Sequence, residues 1–210
     1  MKFRLTALAL VLLATACSRE GDIGEGGVYI TRSACPQVGI PAATGDITLF
    51  NPSNRTDAAS IDVTAVMTNV RSTCNETGAN VVSTATFDVV ATRRDPTEAR
   101  SVVLPYFTVA MQAGTQVVAK RVGNLGLNFP AGSYRAQTSG EATIQVSRSV
   151  ATLPEDVRRE LTRKRKPGDA DAAIDPLSDP KIRDAVARAT FEHLIGFQLT
   201  PEQLRYNATR

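Results

Sequence analysis

The chain of 210 residues has no tryptophan, a single histidine, three cysteines and an aromatic share of only 5%. One histidine and three cysteines leave too few ligands for most His-rich or Cys-rich metal centres. The missing tryptophan removes the Cys–Trp–Cys pattern of antibody-type domains. An excess of one charge is lacking too: 24 basic residues stand against 21 acidic ones, and a net +3 excludes a strongly basic nucleic-acid binder. No hydrophobic run is long enough to span a bilayer. The longest, Leu5 to Ala16, is broken only by Thr6 and Thr15. Twelve helical residues reach roughly 18 Å against a hydrocarbon core of about 30 Å. The motifs G-x-S-x-G, H-E-x-x-H and the P-loop do not occur either.

What is present begins at the N-terminus. Lys2 and Arg4 precede the apolar run, which has the layout of a signal peptide. It ends in Leu13-Ala14-Thr15-Ala16-Cys17, small residues directly before a cysteine. Over Met1 to Ser18 the chain resembles the lipoproteins of Gram-negative bacteria, and this segment resembles their lipobox. The resemblance implies cleavage after Ala16, lipidation of Cys17 and anchoring by acyl chains, each buried methylene contributing roughly 0.8 kcal/mol. Aspartate after the lipidated cysteine favours inner-membrane retention in that family, and here the residue is Ser18. The implied location is therefore the outer membrane, on its periplasmic or surface face.

Cleavage takes away Lys2 and Arg4, which lowers the formal charge from +3 to +1. With Cys17 assigned to the anchor, Cys35 and Cys74 remain as a pair. An oxidising compartment favours a disulfide between them. Closing a loop of about 40 residues stabilises by roughly 3–4 kcal/mol on the chain-entropy account.

Residues 1–16 are thus expected to be a signal peptide, and 17–27 the lipidated cysteine with a glycine-rich tether. Residues 28–151 read as short β-branched strands divided by turns. Candidates are Val28 to Thr31, Asp46 to Phe50, the alternating Ile61, Val63, Ala65 and Met67, and Val81 to Thr92 with Val81, Ala85, Phe87, Val89 and Ala91 on one face. Val102 to Met111, Val117 to Val122 and Ser133 to Val150 complete the set. Gly123 to Gly132 reads as a corner, and Pro105 marks an edge strand or bulge. Strand number and spacing are similar to those of immunoglobulin-like or fibronectin-like β-sandwiches. The expected fold is therefore mainly β with a small C-terminal helical appendage.

Residues 152–210 carry helical signals and are expected to pack on the sandwich. Thr152 and Glu155 have capping-box spacing before Leu153, Val157 and Leu161. Asp179-Pro180 offers an N-cap and N1 proline before Ile182, Ala185, Val186, Ala189 and His193 at helical spacing. Thr200 to Gln203 repeats the device.

Chemistry-bearing candidates are few. Ser178-Asp-Pro-Lys181 has S-x-x-K spacing without the companion S-D-N and K-T-G segments. Asp169, Asp171 and Asp175 fall short of a calcium loop and read as a solvated acidic turn. Arg163 to Lys166 reads as a charged helix end, and His193 as a packed helix residue. The sequons at Asn54, Asn75 and Asn207 read as chance matches. No catalytic residue, metal or cofactor is expected, and no nucleic-acid partner. The expectation is a lipid-anchored, non-enzymatic binding or structural module with an envelope partner. The alternatives are an envelope hydrolase whose site forms only on folding, or an accessory factor for lipid or protein transport that needs a large apolar groove.

Overall fold

The structure, a computed structural model, describes residues 33–165, 168–171 and 173–210, and the backbone of residues 23–24 and 27–28. Two units are distinguished: Met1–Arg32 with Thr162–Ile174, and Ser33–Leu161 with Asp175–Arg210. In the first, β1 (Ile23–Gly24) pairs antiparallel with β2 (Gly27–Val28). The expected strand over Val28 to Thr31 lies mostly outside the described residues.

The second unit is mainly β, with two four-stranded sheets and a few short helices. In chain order its strands are β3 (Gln37–Gly39), β4 (Asp46–Phe50), β5 (Ile61–Asn75), β6 (Asn80–Arg93), β7 (Arg100–Gln112), β8 (Gln116–Phe129), β9 (Arg135–Ser147) and β10 (Phe191–Phe197). One sheet runs β4-β5-β6-β9 and the other β3-β10-β7-β8. All pairs are antiparallel except β3 with β10.

Alternation explains the core. Val63, Ala65 and Met67 of β5, and Val81, Ala85, Phe87, Val89 and Ala91 of β6, are buried on one face, as a period of two requires. Across from them lie Leu104, Leu125, Leu127, Phe129, Ile195 and Phe197 of the second sheet, in the same cluster. Phe87 meets Tyr106 edge-on, with ring centroids 5.5 Å apart. The β7–β8 hairpin turns at Ala113 and Gly114, both at positive φ.

Two strand expectations need correction. Gly123 to Phe129 is no corner but the second half of β8, because Leu125, Leu127 and Phe129 alternate into the core. Gly123 lies flat in the strand for a packing reason: a Cβ there would fall 2.6 Å from the Tyr106 ring. Pro105 is on an interior strand, and the irregularity in β7–β8 pairing falls at Ala110 and Met111 instead. Its missing N–H falls at the end of the β7–β10 ladder. The Pro105 carbonyl accepts from Gln198 N at 2.9 Å, just beyond the last β10 pair, Phe197 with Tyr106. In an antiparallel ladder a residue's N–H and C=O point to the same neighbour, so the absent N–H faces Gln198, where the β7–β10 pairing stops.

Helices occupy the expected segments with shifted ends: α1 (Arg148–Ala151), α2 (Glu155–Thr162), α3 (Pro180–Ala189) and α4 (Pro201–Thr209). Thr152 does not cap α2; its backbone is extended and its hydroxyl donates to the Arg148 carbonyl, closing α1. Asp179 caps α3 through Lys181 N, and Thr200 with Gln203 forms the capping box of α4. Val157, Ile182, Ala185 and Val186 make a small core between α2 and α3. Tyr206 of α4 packs edge-on against Phe50 of β4, centroids 5.0 Å apart, and Asn207 donates to the Ala43 and Asp46 carbonyls.

The largest correction concerns His193. Helix α3 ends at Ala189, where Thr190 turns extended and its hydroxyl donates to the Val186 carbonyl. Phe191 to Phe197 then forms β10, between β3 and β7. Phe191, His193, Ile195 and Phe197 point inward at period two, so this C-terminal segment supplies core strand as well as helix.

Candidate functional site

The chain's only histidine is, with Ser83, among the most deeply buried polar side chains of the described residues. His193 is 0% exposed. Pairing with Ala110 of β7 and Val38 of β3 directs it into the space between the sheets. Its Nε2 lies 2.9 Å from Thr108 Oγ1 on neighbouring β7. Its Nδ1 lies 3.0 Å from Ser83 Oγ on β6 of the opposite sheet. Ser83 is itself fully buried, and Thr108 is nearly so.

Burial sets the electrostatics. Desolvation lowers the His193 pKa from 6.5 to about 4, because the imidazolium would lose its water without gaining an anion. At neutral pH the ring is uncharged, one nitrogen donating and the other accepting. Each hydroxyl supplies the complementary role, so the bridge is satisfied in one of two tautomers. Thr108 also lines a crevice of about 50 Å³ between β8 and β9, walled by Arg121, Thr143 and Gln145. That space suits one or two waters.

Neither a protein-family model, nor a curated protein, nor a solved structure matches this chain. The reading therefore rests on geometry.

The cysteines Cys35 and Cys74 form a disulfide, with Cα atoms 6.0 Å apart. It ties the segment before β3, in one sheet, to the end of β5, in the other. Cys17 lies outside the described residues. Among the described residues no helix is long and apolar enough to cross a membrane.

The S-x-x-K spacing does not make a dyad. Ser178 Oγ donates to the Asp175 carbonyl at 2.7 Å, while Lys181 Nζ sits 3.7 Å from Asp156 on α2. The acidic candidates are separated by their partners. Asp171 pairs with Arg163, whose hydrogen bond holds the carboxyl below its usual pKa, and Asp175 caps Leu177 N. Among the described residues no group of three or more His, Cys, Asp or Glu side chains is placed to hold a metal ion.

One buried group escaped the sequence reading. Arg93, 5% exposed, ends β6 and donates to the carbonyls of Pro96, Glu98, Pro130 and Ser133, with its guanidinium over the Phe129 ring. It stitches the β6–β7 and β8–β9 loops together. Four carbonyl dipoles replace the carboxylate that a buried arginine usually finds. Its only sequence signal is inward parity at the end of an alternating strand.

Proposed function

We propose that the protein is a lipid-anchored component of the Gram-negative outer membrane, tethered through Cys17, whose folded part is a non-enzymatic binding or structural module. On this reading the two sheets form a β-sandwich comparable in size to immunoglobulin-like and fibronectin-like modules, with its own pairing order. The observation that carries the proposal is the Cys35–Cys74 disulfide, which suits an oxidising compartment outside the cytoplasm. It also leaves Cys17 as the one cysteine for the anchor.

The arrangement of polar groups favours a module over a hydrolase. Ser178 and Lys181 engage separate internal partners. His193 is enclosed, and the crevice at Thr108 holds about 50 Å³, too little for a substrate. A transport role needs an apolar groove. The depression beside Ser147, Arg148, Thr152 and Leu153, about 690 Å³, is instead open and of mixed lining.

Proximity crosslinking of intact envelopes tests the reading. A specific envelope component recovered with the full chain, and lost with Cys17→Ala, is the expected result. Recovery from the cytoplasm with free Cys35 and Cys74 thiols would refute it.

A further inference from the structure

The two sheets differ on the faces they turn away from the core. The outer face of β4-β5-β6-β9 is mostly polar, with Thr64, Thr84, Asp88, Thr92, Ser139 and Glu141 around the two valines Val66 and Val90. On β7 the core takes Leu104, Tyr106, Thr108 and Ala110, so the outward row is Val103, Pro105, Phe107, Val109 and Met111. That strand is apolar on both sides, the pattern of a strand covered on both faces. Val122 of β8 and Leu194 of β10 widen the patch. Val103 and Val122 are 63% and 56% exposed, whereas Val109 at the centre is only 6% exposed. Among the described residues nothing lies over Val103 or Val122.

Among the described residues, two charged side chains project from the strands onto this face, and they have opposite sign. Lys120 of β8 lies beside Val109, its Nζ 5.4 Å from the centre of the Phe107 ring. Glu192 of β10 lies beside Met111, on the other flank of β7. We infer that this face pairs with the same face of a second copy, about a two-fold axis parallel to β7. That axis sets β8 of each copy over β10 of the other and brings each Lys120 to the partner copy's Glu192 side. An axis across the strands would oppose Lys120 to Lys120 instead.

The size of the face sets the strength. Strands about 4.8 Å apart, and ten residues of β7 at about 3.4 Å each, outline roughly 500 Å² per copy. About 1,000 Å² in total is the threshold of a specific interface, so the dimer is weak and reversible. The inference does not depend on the lipid anchor, although two copies held in one membrane would meet more often.

The test uses the full chain in its own membrane, with a photo-reactive phenylalanine placed in turn at Val103, Val122 and, as a control on the other sheet, exposed Val66. Irradiation should join two copies from Val103 and Val122, giving a species of twice the mass of the uncrosslinked protein, and not from Val66. Lys120→Glu should lower the yield about tenfold by opposing like charges, and Glu192→Lys likewise. The double swap should restore it. Each variant is checked for the native disulfide, so a loss through misfolding is visible. Adducts only with another polypeptide, none at Val103 in a correctly folded chain, equal yield from Val66, or no rescue by the double swap would each overturn the inference.

Discussion

Lowering the pH from about 6.5 to 5 should destabilise this protein through one side chain, above the ordinary pKa range of the carboxylates. In the unfolded chain His193 takes up a proton near 6.5; in the folded chain it does so only at about 4. Between these values the unfolded state binds more protons, so stability falls as pH drops from about 6.5 towards 4 and is insensitive to this group above 6.5. The separation corresponds to about 3 kcal/mol in total, and about 2 kcal/mol is lost by pH 5. That is a large share of the 5–15 kcal/mol typical of a domain. Asp88 and Asp95, held below the usual carboxylate range by hydrogen bonds from Asn69 and Thr97, act at lower pH and do not obscure the window. With no tryptophan as a reporter, urea unfolding is followed by circular dichroism. At about 2 kcal/mol per molar urea, the midpoint should move down by roughly 1 M between pH 7.5 and pH 5. His193→Gln, whose amide still donates and accepts but does not titrate, should lose most of that shift. An equal shift in the variant would refute the placement of a neutral, buried imidazole between the sheets.

Further outcomes follow from the packing and the cross-links. Arg93→Lys cannot reach four carbonyls and should cost about 2–4 kcal/mol in urea unfolding; unchanged stability would contradict the stitch between the two loops. Gly140→Ala would put a Cβ 2.6 Å from the Phe87 ring and 3.0 Å from Leu125, so a loss of about 1–3 kcal/mol is expected. Phe87→Leu in the same chain should recover part of it, and an additive double loss would point elsewhere. Replacing Cys35 and Cys74 together by serine should cost about 3–4 kcal/mol, read as a lower urea midpoint. An unaltered midpoint would show that the bridge constrains little.

Legibility in the sequence followed periodicity. Where one face is apolar and the other polar, as in Ile61 to Met67 or Val81 to Thr92, alternation located the strand and its buried residues. Asp46 to Phe50 was legible to its ends because a turn follows it directly. Caps that sit beside proline, at Asp179 and Thr200, were legible for the same local reason. The failures lie where local signals compete with tertiary contacts. Phe191 to Phe197 is apolar enough to suit either period, and only pairing with β7 and β3 makes it a strand. Gly123 looked like a turn because the Tyr106 ring that requires it is seventeen positions away. The disulfide was legible by counting. The Ser83–His193–Thr108 bridge was not, since its members come from three strands that meet only in the fold.

The central claim is that a disulfide-bonded β module hangs from a lipid on Cys17. It is tested most directly by metabolic labelling with an alkyne fatty acid, comparing the wild-type chain with Cys17→Ala in separated inner and outer membranes. The account predicts label on the wild-type protein in the outer-membrane fraction and none on the variant. Label that persists in Cys17→Ala, or an unlabelled wild-type protein recovered free of membrane, would contradict it.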